Sequence, residues 1–514
     1  MDCGYLFNCV RSISVEPFVF LNSIATGIHA VVSRYGIYQA ICQQAIGHGC
    51  SDMGGNGTNG TLENSAQRTA ADFGSYSAMA YMIPAVFADI ILGALGDRYG
   101  RKWNMLLGSL GSIISIIPSI FLFKYPKQTP LYVLIIANVI SGLTGFLSIV
   151  LISSFAYLAD TVVDQDMLTI RMAVLQVAIN LGQMIGPLIA SAISTTMELA
   201  YQEVITISIY VISISLGLIL LRQVPPSVMK ARMAESIGRK ETVGVHEPQA
   251  IEIQVIDNLT RPTRSPKLNL VMPIDSIENG SDQLTISSHR RGGCQLCLEI
   301  MQLFKDVWGT YTKPRRHHVR AYLFIMSIVF FITLTAEAGL RYGVLGLFVQ
   351  KAPLKWNQAT IGYYDSTHGG AITLGTLIGT IVLKKVFHVT DTVIILFALL
   401  SGAGEMLLIA FSNQTWMIFC SVMIGFLANL VKPCSKSFVA KLVESDEVGK
   451  AFTVFGIAQN IAFMVSNVFY NTLYKATLEF FPGFCFLFAA FIFLAAFLLI
   501  LGMYFDSKRQ GDLH

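Results

Sequence analysis

The sequence predicts an all-α membrane protein of twelve transmembrane helices, arranged as two halves of six. Three observations predict it. Only 13% of the 514 residues are charged, about half the share usual in soluble proteins. Hydrophobic residues make up 53%, and the mean hydropathy is +0.58. The apolar residues fall in blocks of about 20, the length at which a helix crosses roughly 30 Å of hydrocarbon.

The first six blocks run at about 15 to 38, 75 to 95, 103 to 123, 131 to 158, 170 to 194 and 203 to 221. Block one holds His29 and Arg34, which makes it too polar for a cleaved signal peptide, so it reads as a span. Six more lie at about 321 to 348, 360 to 383, 392 to 411, 416 to 435, 451 to 473 and 483 to 505. Residues 1–221 therefore form an N-terminal six-helix half, and 321–514 a C-terminal half with a short tail. Residues 222–320 are the one long connection, rich in Ser, Pro, Arg and Lys, with apolar periodicity only in LCLEIMQLFKDVW near its end. That composition predicts a largely disordered loop followed by a short amphipathic helix on the membrane.

Lys and Arg in short loops set orientation. With the N-terminus inside, the inner short segments hold twelve of them and the outer segments six, so both termini are expected in the cytosol. The first outer loop then carries the glycosylation sequons at Asn56 and Asn59. Cys42 and Cys50 share that oxidising loop and could pair. Cys294 and Cys297 form a lone C-x-x-C without a second pair at zinc-ribbon spacing, so no metal is expected. The net charge of +4 arises in the central loop, where fifteen Lys and Arg face ten Asp and Glu. It fits an anionic lipid surface, and no basic patch interleaved with aromatics points to nucleic acid.

Between spans two and three stands GDRYGRK, which puts Asp97, Arg98, Arg101 and Lys102 between two apolar runs. Obedience to the inside-positive rule would explain the cations but not the embedded aspartate or the placed glycines. Read from Gly93, the stretch is G-x-x-x-D-R-x-G-R-K, with Gly93 expected to let helices approach, Gly100 to permit a tight turn, and Asp97 to accept hydrogen bonds. It resembles the loop motif of major facilitator transporters, which implies a conformational latch. The second half offers LKKVFHVTD, with Lys384, Lys385 and Asp391, as a degenerate repeat. In span five, Gly182, Gly186 and Pro187 resemble the G-x-x-x-G-P motif of facilitator antiporters; physically they imply close helix packing and a kink.

Five further stretches, SSFAYLAD, IRMAVLQ, APLKWNQATIGY, AKLVESDEVGKAF and NTLYKATLEFFPGF, resemble solute carrier family 46, the proton-coupled folate transporter and its relatives. The resemblance implies two rocking halves and proton-coupled transport of an organic anion. Departures accompany it. Where the family carries a coupling glutamate this chain has Gln176. Ala338 stands at a coupling histidine, Lys436 at an arginine, and Lys355 at an outer-loop cysteine, so the family's long-range disulfide is not expected.

A proton site must then lie elsewhere. Ionisable groups at bilayer depth cost at least a few kcal/mol, so they face a cavity or a partner. Span seven holds Glu337 and Arg341, and span eight Asp365 and His368, each pair one turn apart. Each pair could simply neutralise itself. Alternatively Asp365 with His368, or Glu337, accepts the proton, and Arg341 holds an anionic substrate. His29, Arg34 and Lys436 are further cavity candidates; Lys432 and Lys436 could instead snorkel to the inner interface. Asp89, two turns before Asp97, could join the latch.

The expected function is secondary active transport of an organic, anionic solute with protons by alternating access. The alternatives are a proton-independent facilitator or exchanger, and a non-transporting receptor of the same fold. No Walker loop, H-E-x-x-H or G-x-S-x-G is present, so no enzyme activity and no cofactor are expected. The expected partners are a small organic anion, protons and the lipid bilayer, with no nucleic acid and with the chain as a monomer or weak homo-oligomer. Plasma membrane and lysosomal membrane are both compatible with the loops.

Overall fold

The computed structural model describes residues 15–46, 57–161, 165–221, 313, 318–351, 353–379, 382–383, 386–443 and 448–510. Its elements belong to one compact unit made of Met1–Ala231 and Asp306–His514. Among the described residues all regular structure is helical. The helices stand where the apolar blocks do: Glu16–Ile46, Gly57–Tyr99, Lys102–Lys124, Tyr132–Leu143 continued by Phe146–Thr161, Gln165–Ile193 and Leu199–Leu220 form spans one to six. Spans seven to twelve are Val319–Gly339 extended to Gln350, Gln358–Gly379, Asp391–Ala410, Thr415–Ile424 extended to Leu442, Val448–Thr477 and Phe484–Gln510.

Nine of these are long and apolar enough to cross a membrane. The other three, spans one, eight and eleven, carry much of the polar machinery. Arg34, Asp365 and Lys475 lie on them. Span two differs from its expected bounds. It begins at Gly57 and runs 43 residues, about 64 Å at 1.5 Å per residue, so its first turns stand beyond the hydrocarbon. Much of the expected outer loop is therefore helix, with Asn59 in its first turn; Asn56 and Cys50 lie outside the described residues. Cys42 is disulfide-bonded. The central loop, its amphipathic segment, Lys384 and Lys385 also lie outside the described residues.

Three spans leave α-helical geometry midway. Span four breaks at Gly145 (φ +78°) and Phe146 (φ +45°), and Thr144 turns back to donate to the Ser141 carbonyl at 2.6 Å. Span seven widens into a π-helical turn at Leu340–Val344, and span ten tightens into a 3-10 segment at Gly425–Leu430. Such segments recur at functional hinges.

The glycine pair in span five packs as its spacing predicts. A Cβ on Gly186 would stand 2.4 Å from the Ile24 carbonyl oxygen, and one on Gly182 2.5 Å from Ser23 Cβ, so span five lies directly on span one. Pro187 sits within the helix. Gly93 departs from expectation, because a Cβ there would meet nothing within 4 Å. The close-packed glycine of the loop motif is Gly96, 2.7 Å from Asn104 Nδ2 on the same measure. Gly100 has φ +94° and makes the expected turn.

Hydrogen bonds and ion pairs between the halves gather at the end that the charge count assigns to the outside. Asp72 pairs with Lys475 at 2.6 Å and Arg68 with Glu479 at 2.7 Å. Beneath them Gln67, fully buried, donates to Tyr38 Oη (2.9 Å) and to the Leu347 carbonyl (3.1 Å), and accepts from Tyr474 Oη (3.2 Å). On the opposite side Gln202 and Gln358 bond to each other, and Ser191 donates to the Ala359 carbonyl at 3.0 Å. Lys351 reaches Asn64 at 2.8 Å. Burial holds its amine below the usual lysine range, against the pull of Glu63 and Glu479.

At the other end the ion pairs join neighbours within one half. Arg101 Nε donates to Asp160 at 3.2 Å, Arg171 clasps Glu16 at 2.8 Å, Lys441 meets Asp391 at 2.6 Å, and His318 meets Asp506 at 2.7 Å.

Candidate functional site

The site forms beneath the bonds that join the halves at the end which the charge count assigns to the outside. Arg34, late on span one, donates through Nε to the Ala30 carbonyl at 2.9 Å, which fixes its guanidinium on the inner face of the N-terminal half. Both terminal nitrogens then reach Asp365 on span eight, Nη1 at 3.5 Å and Nη2 in a shorter bond. This bidentate pair crosses between the halves. Its side chains keep 17% and 14% exposure, so water reaches them. Span seven leaves room for the arginine at Gly346, where a Cβ would stand 3.4 Å from Arg34 Cδ.

The second cluster lies within the C-terminal half. Glu337 pairs with Lys432 at 2.9 Å, across from span seven to span ten. Arg341, in the π-helical turn, donates to Glu405 Oε1 on span nine at 3.0 Å. His368 Nε2 lies 3.6 Å from the same oxygen. Glu337, Arg341, His368, Glu405 and Lys432 line one small cavity. Lys436, one turn beyond Lys432, points its amine at the Phe330 ring, 5.9 Å from the centroid. Among the described residues it faces that ring, not a carboxylate.

In the N-terminal half His29 Nδ1 contacts both oxygens of Glu203 on span six, at 2.9 and 3.0 Å, and Glu203 is fully buried. Thr26 with Tyr210, and Asn22 with Ser109 and Ser213, continue this polar seam between spans one, three and six.

The structure thus re-pairs the expected partners. Glu337 bonds to Lys432 and Arg341 to Glu405, while Asp365 takes Arg34 and His368 lies 3.6 Å from Glu405. Residues one turn apart share a helix face, but here a neighbouring helix offers each a better-placed partner. His29 and Arg34 likewise serve different carboxylates. Asp89 accepts from Ser148 at 2.6 Å, opposite the break in span four. Gln176 is exposed and donates to Asn180 at 3.0 Å. In the loop motif the side chains of Asp97 and Arg98 lie outside the described residues. Lys102 reaches the Leu218 carbonyl at 2.8 Å, and Arg101 ties the start of span three to the end of span four.

Three of the partners, Glu203, Glu405 and Asp160, were not singled out from the sequence. Each was visible there as a lone acid within or at the edge of an apolar block. Their cations sit on other helices, so helical spacing could not link them. The degenerate repeat gains a meaning in the same way. Asp391 opens span nine and Lys441 closes span ten, the places that Arg101 and Asp160 occupy on spans three and four, with the signs exchanged.

The model of the Major Facilitator Superfamily matches residues 45–345 and 321–513. The chain belongs to the major facilitator superfamily. Among its curated relatives, the proton-coupled folate transporter of Bos taurus is 26% identical over 94% of this chain and 91% of its own length. The human lysosomal proton-coupled steroid conjugate and bile acid symporter SLC46A3 is 23% identical over 94% and 92%. These are members of solute carrier family 46, as the five stretches imply. Solved structures share the fold. A D-xylose-proton symporter superposes with a TM-score of 0.60 at 12% identity, covering 95% of this chain and 97% of its own. The human organic anion transporter MFSD10 superposes at 0.52 with 16% identity, covering 95% and 98%. The chain is a multi-pass membrane transporter by family and not an enzyme.

Proposed function

We infer that this carrier moves an organic anion together with a proton, and that Arg34 is the group through which the two are coupled. The observation that carries this reading is the Arg34–Asp365 pair, a bidentate bond between the halves, directly beneath the outer seal. With the orientation expected from the loops, the state described is closed outward. Protonating Asp365 removes the negative charge that holds Arg34, and an unpartnered guanidinium in a sparsely hydrated site attracts an anion. Neutral Asp365 and a bound anion then occur together. When the proton leaves toward the cytosol, the restored carboxylate competes for Arg34 and displaces the anion. Proton and anion thereby raise each other's affinity by the same factor, as linkage requires. Lys436, which among the described residues faces an aromatic ring and no carboxylate, adds positive potential for an anionic cargo.

The relatives' names, a folate transporter and a bile acid symporter, agree with an organic acid as cargo. The test is Asp365→Asn, which fixes the site in its neutral form. Acid-stimulated uptake should be abolished while exchange of external for internal substrate persists, because exchange needs no net proton movement. An Asp365→Asn carrier with the wild-type pH dependence would refute the reading.

A further inference from the structure

We propose that Glu405 is a second proton-binding site, so that the carrier takes up one proton between its halves and another inside the C-terminal half. The inference rests on the reading of the chain as a proton-coupled carrier and adds a residue to it. Glu405 lies on span nine with 2% of its surface exposed. A carboxylate that deep stays ionised only if donors replace the water it has lost. One oxygen, Oε1, takes both Arg341 at 3.0 Å and His368 at 3.6 Å. The other side of the carboxyl is pressed onto span ten at Gly425, where a Cβ would stand 2.1 Å from Oε2 and 2.4 Å from the carboxyl carbon. Only a glycine leaves room for the acid there.

The groups that face Glu405 come from four helices: Arg341 and Glu337 from span seven, His368 and Tyr364 from span eight, and Lys432 from span ten, while span twelve contributes the uncharged Phe493. Two carboxylates and two permanent cations balance with His368 neutral, and a proton on Glu405 leaves Arg341 in excess. A route for the proton exists. The cavity these residues line continues to Glu337 and Lys432, whose side chains are 22% and 34% exposed. The proton comes from water, the carboxylate becomes a carboxylic acid, and the ion pair to Arg341 gives way to a neutral donor beside the guanidinium.

The place of the pair gives that change a mechanical consequence. Arg341 stands in the π-helical turn of span seven, and Gly425 begins the 3-10 segment of span ten. The bond therefore ties the π-helical turn to a carboxyl that packs on the 3-10 segment, and its loss lets both segments change register. The static alternative is a permanent pair that merely fixes four helices. It predicts that Glu405 never titrates.

Infrared difference spectra of the full chain in nanodiscs, recorded between about pH 5.5 and about pH 7.5, distinguish the two. Protonated buried carboxyls give separate C=O stretching bands, and the wild type should show one from each of the two sites. Asp365→Asn should remove one band and Glu405→Gln the other. Should the glutamine variant fail to fold, Glu405→Asp keeps the charge and shifts the frequency of its band without removing it. A spectrum unaltered at Glu405 by either variant overturns the proposal while leaving Asp365 untouched. Loss of the Glu405 band with no effect of Asp365→Asn would support the second site and count against the first.

Discussion

In the proposed mechanism Arg34 holds two different anions in turn, Asp365 and the cargo, and its planar fork suits both. Arg34→Lys keeps the charge but replaces two directed bonds by one. Loss of one charge-assisted bond, about 1.5–3 kcal/mol, corresponds to roughly a 10- to 100-fold weaker hold on the anion. The half-saturating substrate concentration should rise by that factor, with maximal uptake less affected; an unchanged value would remove Arg34 from the substrate site. At this scale the sequence showed which side chains matter but not whom they meet. Arg34, Asp365, Glu337, Arg341 and His368 were legible as charges at bilayer depth. Their partners, Glu405 and Lys432 among them, lie 37 to 331 positions away along the chain. Periodicity within one helix carries no information over such separations.

Among the elements, spans one and five form the tightest helix contact that the motifs foretold, because Gly182 and Gly186 admit a backbone where a side chain would collide. Gly186→Ala places a methyl against a carbonyl oxygen and should destabilise by about 1–3 kcal/mol, the usual cost of overpacking. Gly93→Ala meets open space and should leave thermal stability unchanged. Equal melting temperatures for the two variants would contradict this packing. The clamps at the inner ends make a second prediction. Arg101→Asp should cut transport severely, and Asp160→Arg in the same chain should restore part of it, since the pair is re-formed with reversed signs, as on spans nine and ten. Failure of the double variant to recover any transport would show that Arg101 acts outside this pair. Span positions were legible because hydrophobic length alone sets them. The extension of span two and the π and 3-10 turns were not, since they answer to tertiary packing.

For the whole molecule, the expected orientation rests on twelve inner against six outer cations in the short loops. Enzymatic deglycosylation should shift the band of protein made in a glycosylating host, and Asn56→Gln with Asn59→Gln should abolish most of that shift. An unshifted wild-type band would oppose the orientation. The seal on the outer side combines exposed ion pairs with buried amides. Exposed pairs such as Arg68–Glu479 contribute little each, so the fully buried Gln67 and the Gln202–Gln358 bridge hold most of the closure. Under those bridges sits the Arg34–Asp365 bond, through which the proposed coupling acts. The most direct test of that arrangement is accumulation of labelled organic anions by proteoliposomes with about pH 7.4 inside and a choice of about pH 5.5 or 7.4 outside. Coupling through Arg34 and Asp365 predicts uptake above equilibrium only with the acid exterior, collapsed by a protonophore. Equal uptake at both values, with no accumulation, would contradict it.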